Sequence, residues 1–262
     1  MKMFINNIDP VAFRLGPLEI RYYGIIFAFG FILALLYLEH LRKKGKLNLR
    51  KDDVYDLLLY IIIGVVAGSR LGEVLFWEPS YYFSNPLKIF AVWEGGMSFH
   101  GGLIGIIVGA WLFSRRSEIK KRISFLGLAD AVAVPAAFAL ALGRLANFIN
   151  GELVGAKTGL PWCVQFSGYD GCRHPVQLYG FAGRFMTGLF VLYASMKKHA
   201  EGFLFVSVVF LFGFGRLVTD FLREDPRLLG LSMGQYLSAV MVLVAAYFLL
   251  THYKEDVKHL FV

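Results

Sequence analysis

The chain has 262 residues, 57% hydrophobic and 18% charged, with a formal net charge of +8. So much apolar sequence, in long runs separated by short basic loops, argues against a soluble fold, and the loop-bound positive charge argues against a nucleic-acid surface. Six histidines and two cysteines, with no HExxH or paired Cys/His spacing, give no metal site, and no cofactor is expected.

The first apolar stretch follows the polar segment MKMFINNIDPVAFRLGPLEI and is longer than a signal-peptide core, so it is expected to stay in the mature chain. About 20 mostly apolar residues cross a bilayer core of roughly 30 Å. With flanks included, seven spans are predicted, at about 18–40, 54–77, 97–114, 124–146, 176–197, 202–221 and 232–253. Those around His100 and Arg184 carry charge or glycine near an end. The expected fold class is an all-α polytopic membrane protein, a single integral membrane domain over 1–262. Outer loops at about 78–96 and 147–175 are expected to form a small external cap.

Of the 27 Lys and Arg residues, 15 lie in 41–53, 115–123, 197–201 and the tail after 253. Eight lie in the alternate segments: Lys2, Arg14, Arg21, Lys88, Lys157, Arg173, Arg223 and Arg227. The positive-inside rule puts the larger set in the cytoplasm, with the N-terminus outside and the C-terminus inside.

The remaining four, Arg70, Arg144, Arg184 and Arg216, fall within predicted spans. At about 1.5 Å per helical residue, all four are predicted in the outer half of the bilayer, as are Tyr23 and His100. An intramembrane arginine costs roughly 2.5–3.5 kcal/mol on insertion scales unless it is paired or faces water. Acids at matching depth are few, chiefly Glu73, Glu152 and Asp220. A cationic cavity open to the outer leaflet suits an anion, and a lipid phosphate is the commonest one there. Arg70, Arg144, Arg216 and, beyond its span, Arg223 are the candidate anion-binding arginines.

Two stretches carry candidate chemistry. In WEGGMSFHGGLIG, 93–105, two glycine pairs bracket His100, and imidazole exchanges a proton near neutrality. In GRLANFINGELVG, 143–155, Arg144 and Asn147 share a helix face at i and i+3, and Asn150 continues the stripe before Glu152 and Gly155. Arginine grips phosphate with two parallel hydrogen bonds, and a carboxylate such as Glu152 orients a buried arginine or offsets its burial. Cys163 and Cys172 stand nine apart in a predicted outer loop, where an oxidising exterior permits but does not require a disulfide.

With these motifs the chain closely resembles the prolipoprotein diacylglyceryl transferases of bacterial membranes. The resemblance runs through RYYGIIFAFGF (21–31), GSRLGEVLF (68–76), GGMSFHGGLIG (95–105), GRLANFINGELVG (143–155), RHPVQLY (173–179), FGRLVTDFLRED (214–225) and LSMGQYLS (231–238), in the family's order. It implies transfer of the diacylglyceryl group of phosphatidylglycerol to the lipobox cysteine thiol of a prolipoprotein. The products are a thioether and glycerol 1-phosphate, and the setting is the bacterial cytoplasmic (inner) membrane with the site toward the outer leaflet. The resemblance implies that Tyr23, His100, Arg144, Asn147, Glu152, Gly155 and Arg216 matter. Two positions depart from the pattern: Phe212 stands where a tyrosine is familiar, and Gly180 where a glutamate is usual. The expected roles are a phosphodiester clamp by Arg144 and Arg216 and proton removal by His100, with Tyr23 as a further catalytic candidate. The rival expectation is a transporter for an anionic solute or lipid, since buried charge also lines solute pathways.

Overall fold

The computed structural model describes residues 4–16 and 18–260; Lys2 lies outside the described residues. Strands β1 (Phe4–Asn6), β2 (Val11–Leu15) and β3 (Leu18–Arg21) lead into helix α1 (Tyr22–Lys43). There follow α2 (Lys51–Phe76), α3 (Pro79–Ser84), two 3-10 turns over Pro86–Phe90 and Val92–Glu94, α4 (Phe99–Ser114), α5 (Ser117–Lys120) and α6 (Phe125–Ile149). Strands β4 (Val164–Phe166) and β5 (Cys172–Arg173) precede α7 (Val176–Ala194) and α8 (Phe203–Thr219). The chain closes with β6 (Arg227–Leu228), β7 (Leu231–Ser232), α9 (Met233–Thr251) and α10 (Lys254–His259).

This is a mostly helical, polytopic membrane protein. Among the described residues, five stretches are long and apolar enough to cross a bilayer: Tyr22–Lys43, Lys51–Phe76, Phe125–Ile149, Phe203–Leu222 and Met233–Thr251. The other two predicted spans hold α4, which is shorter at 16 residues, and α7, which carries Arg184. Helix α6 keeps Pro135 inside it, a break that neighbouring helices make tolerable in a membrane.

The chain divides into two compact units, residues 35–131 and residues 1–34 with 132–262. In the first, α2 and α4 meet along glycine. Gly64, Gly68 and Gly72 recur every fourth residue on α2, as do Gly101, Gly105 and Gly109 on α4. A Cβ on Gly105 would collide with the Gly64 carbonyl oxygen, one on Gly101 with that of Gly68, and one on Gly109 would lie 2.5 Å from the Tyr60 carbonyl oxygen. Lipid tails give apolar side chains no reason to segregate, so helix association in a bilayer rests on van der Waals fit, which small residues maximise. At the N-terminus of α4 the Ser98 hydroxyl accepts from the Gly101 N–H at 3.3 Å, while the Ser98 N–H donates to the Ser69 carbonyl of α2 at 2.9 Å. Both helices are thus locked in register at one end.

In the second unit, β1 pairs in parallel with β4, and β4 antiparallel with β5. Buried Asn6 on β1 donates from Nδ2 to the Phe148 carbonyl at 2.6 Å, tying the strand to the end of α6. Phe148, Val154, Val164 and Phe166 form the small apolar core beneath. Cys163 and Cys172 are disulfide-bonded, with Cα atoms 5.5 Å apart, closing the loop that carries β4. Glycine again sets the closest approaches: a Cβ on Gly188 of α7 would lie 2.9 Å from the Phe138 ring of α6, and one on Gly213 of α8 3.1 Å from Met241 of α9.

Gly105→Ala should lower stability to thermal unfolding in detergent by about 1–3 kcal/mol through overpacking. Gly183→Ala, at a site with open space, should leave it within about 0.5 kcal/mol. Equal melting of the two variants would refute the backbone-contact account.

Candidate active site

The sequence FINGELVG ends α6 in a way that assembles a polar cluster. Gly151 takes φ +66°, a conformation that costs glycine little, and the chain reverses there. The Gly151 N–H bonds the Phe148 carbonyl at 3.0 Å and the Glu152 N–H the Asn147 carbonyl at 3.1 Å. The reversal folds Glu152 back onto the helix, where Asn147 Nδ2 donates to its carboxylate at 2.7 Å. Tyr23, in the first turn of α1, lies within electrostatic reach of the Asn147 side chain, Glu152 and Arg144. Fully buried Gln177 of α7 donates to the Glu152 carbonyl at 2.7 Å. Asn150 Oδ1 is buried and accepts no hydrogen bond from the described residues.

Half-buried Arg144 lies one helical turn before Asn147. Among the described residues it forms no ion pair and no side-chain hydrogen bond. Arg216, Arg223, Asp220 and the Tyr23 phenol lie within its electrostatic reach. Arg216, on α8, pairs with buried Asp220 one turn later at 3.4 Å. Asp220 also accepts from the Ser232 hydroxyl at 3.4 Å, the residue that caps α9. Gly234 in the first turn of α9 leaves the space these groups fill: a Cβ there would lie 2.5 Å from Asp220 Oδ2 and 2.8 Å from Arg216 Nη2. Arg223, beyond the helix, pairs with Asp225 at 2.7 Å.

Gly155 marks a crossing of three chain segments. Its N–H donates to the His174 carbonyl at 3.1 Å, and a Cβ would meet that oxygen at 2.5 Å and the Leu222 carbonyl at 2.9 Å. Arg173 straps the crossing by donating to the Gly155 carbonyl at 3.1 Å and to Glu224 at 2.8 Å. The Arg173 guanidinium, with help from the Lys157 N–H, holds the Glu224 carboxyl below the usual carboxylate range.

Arg70 and His100 belong to the other unit. Arg70 was a candidate anion binder, and its guanidinium is instead engaged with the protein. Nε donates to the Ile89 carbonyl at 2.9 Å, and Nη1 to the Tyr82 hydroxyl at 2.9 Å and the carbonyls of Gly95 and Gly96. Nη2 donates to the carbonyls of Lys88 and Ala91. Buried Arg70 therefore organises the segment between α2 and α4. Gly95 and Gly96, at φ +89° and +69°, turn the chain around it. Gly101 and Gly102 serve the contact with α2, so packing accounts for both glycine pairs that frame His100. His100 is buried, with its ring 6.3 Å from the Trp77 indole and 17° from parallel.

Residues 10–251 match the family model described as prolipoprotein diacylglyceryl transferase. The chain belongs to that family. It is 47% identical over 252 residues to a phosphatidylglycerol–prolipoprotein diacylglyceryl transferase of Bordetella parapertussis, covering 92% of this chain and 94% of the relative. The enzyme of that name from Geobacter sulfurreducens is 44% identical over 249 residues, with the same coverage. That from Cupriavidus metallidurans is 40% identical over 268 residues, covering 95% of each. The stretch 143–155 is the end of α6 and its reversal. Gln177, Asp220, Gly180 and Gly234 were not singled out as site residues. For Asp220 the i, i+4 spacing from Arg216 was a readable signal, and Gly180 stood out as a departure from the family pattern, whereas Gly234 and Gln177 gave none.

Arg70→Lys should raise amide exchange across 86–97 by at least about tenfold, since an ammonium cannot serve so many carbonyls and an unmade buried hydrogen bond costs about 1–3 kcal/mol. For Glu224, a depressed carboxyl stabilises the crossing above the unfolded value near about 4.3, and that contribution is lost as pH falls through the lower folded value. Limited proteolysis of the 155–174 loop should therefore speed up below about pH 4 in the native chain, and Glu224→Gln should flatten that pH dependence.

Proposed function

We propose that this protein transfers the diacylglyceryl group of phosphatidylglycerol to the cysteine thiol of a prolipoprotein lipobox. The thioether C–S bond forms as the glyceryl C–O bond to phosphate breaks, and the electron pair leaves with glycerol 1-phosphate. The observation that carries the reading is Arg144, a guanidinium without an ion pair among the described residues, set beside Arg216 and Arg223. The names of the relatives, phosphatidylglycerol–prolipoprotein diacylglyceryl transferase, supply the substrate pair to which that cation cluster answers.

In this mechanism Arg144 and Arg216 grip the phosphodiester and stabilise the charge that grows on the departing phosphate. Arg223 and Asn150 add donors to the same headgroup. The Asn147–Glu152–Tyr23 cluster fixes the end of α6, and with it the aim of Arg144. A free thiol is only a few per cent ionised near neutrality. His100 is the proposed acceptor of its proton. The proposed topology is seven crossings with the N-terminus outside, in the bacterial inner membrane, with the site opening to the outer leaflet where the secreted lipobox emerges.

Purified protein incubated with phosphatidylglycerol and a lipobox peptide should release glycerol 1-phosphate in step with the thioether. Arg144→Ala or Arg216→Ala should cut kcat by about 10²–10³. His100→Gln should remove the rate advantage at neutral pH and recover it in part as the pH approaches the thiol value near about 8.5. Retained transfer in either arginine variant would sink the clamp, and an unchanged pH profile in His100→Gln would sink the base.

A further inference from the structure

We infer that Arg184 is a fourth guanidinium of this phosphate site, a positioning residue that acts through Arg144 and Arg216 and favours the dianionic product over the monoanionic diester. The inference rests on the reading of Arg144 and Arg216 as the phosphate clamp. Arg184 lies on α7, 7% exposed, within electrostatic reach of Arg144, Arg216 and Asp220. Its Nη1 donates to the Gly180 carbonyl one turn earlier at 3.2 Å, and its guanidinium carbon lies 5.5 Å from the Phe212 ring centre on α8. Gly180 makes the arrangement possible. A Cβ at that position would lie 2.8 Å from Arg184 Nη1 and 3.4 Å from both Cγ and Cδ of Arg144. The absent side chain is replaced by two arginines, one guanidinium beneath the stem of the other.

Packing alone does not account for a charge there. A buried cation beside two others is costly, and a well-packed apolar side chain of similar volume usually stabilises such a position as well or better. The aromatic face of Phe212 offsets part of that cost. An anion at Arg144 and Arg216 offsets more, and most when the anion carries two charges. The reaction has that asymmetry: thiolate and phosphodiester each bring one negative charge, the thioether leaves with none, and glycerol 1-phosphate leaves with both. Positive potential from Arg184 therefore acts more on the departing phosphate than on the bound lipid, which is the condition for raising kcat rather than tightening substrate binding.

Arg184→Met keeps the volume and removes the charge. The variant should melt at or above the temperature of the native protein. Its kcat should fall by about 10- to 100-fold while KM for phosphatidylglycerol stays within about threefold. Inhibition by added glycerol 1-phosphate should weaken about tenfold, against at most about twofold for its monoanionic methyl diester. Arg184→Lys should recover most of the dianion preference. Gly180→Ala, which displaces the guanidinium and keeps the charge, should shift kcat and dianion inhibition the same way by a smaller factor. It carries the test should Arg184→Met fail to fold. Unchanged dianion preference in Arg184→Met, or in Gly180→Ala where the first variant does not fold, overturns the proposal. Failure of the clamp itself reads differently: Arg144→Gln would then leave inhibition by both phosphates as it is in the native protein.

Discussion

The structure turns on how closely backbone can approach backbone, and guanidinium approach backbone, in a medium that rewards neither by hydrophobic burial. Glycine sets that distance at every decisive point. Between α2 and α4 it lets two helices touch along their carbonyls. At Gly96 it clears room for Arg70, at Gly180 for Arg184 and Arg144, and at Gly234 for Arg216 and Asp220. A side chain at any of these positions would push a charged group out of its place. Glycines that look like ordinary helix-packing residues in the sequence are the molds in which the cationic groups are set.

Two arginines predicted alike turn out to be held differently. The guanidinium of Arg70 is spent on the carbonyls of a loop, so it behaves as a structural pin whose donors are taken. Arg144 makes no side-chain hydrogen bond among the described residues. The difference lies in what surrounds each: Arg70 faces irregular backbone, which offers unsatisfied oxygens in abundance. Arg144 faces the sides of helices, whose carbonyls are already taken by their own N–H groups. A cation among helices keeps its donors for something else.

Much of the fold was legible because a bilayer imposes one dominant rule, long apolar runs, and all seven predicted spans hold a helix. The small sheet that joins β1 to β4 was not legible, since strands of two or three residues carry no readable alternation and are paired by chains far apart in sequence. The arginines and the Asn147–Glu152 stretch were legible as polar intrusions into apolar helices. The fate of Arg70 was not, because six acceptors from a folded loop leave no trace in residue order. The glycine pairs around His100 were readable as chain-entry structure, and their close contacts with α2 and with Arg70 are what the fold shows. Cys163 and Cys172 left two outcomes open, and the bonded one is found because their strands bring the Cα atoms within reach.

The backbone contact between α2 and α4 has a consequence for traffic through the membrane. Helices joined by interlocked glycines and stitched at Ser98 and Ser69 have no rotamers to rearrange and no side chains to swing aside. Neither an acyl tail nor a polypeptide segment slips between that pair. Lateral doorways for both substrates are to be sought along the remaining helices, where side chains fill the seams and can yield.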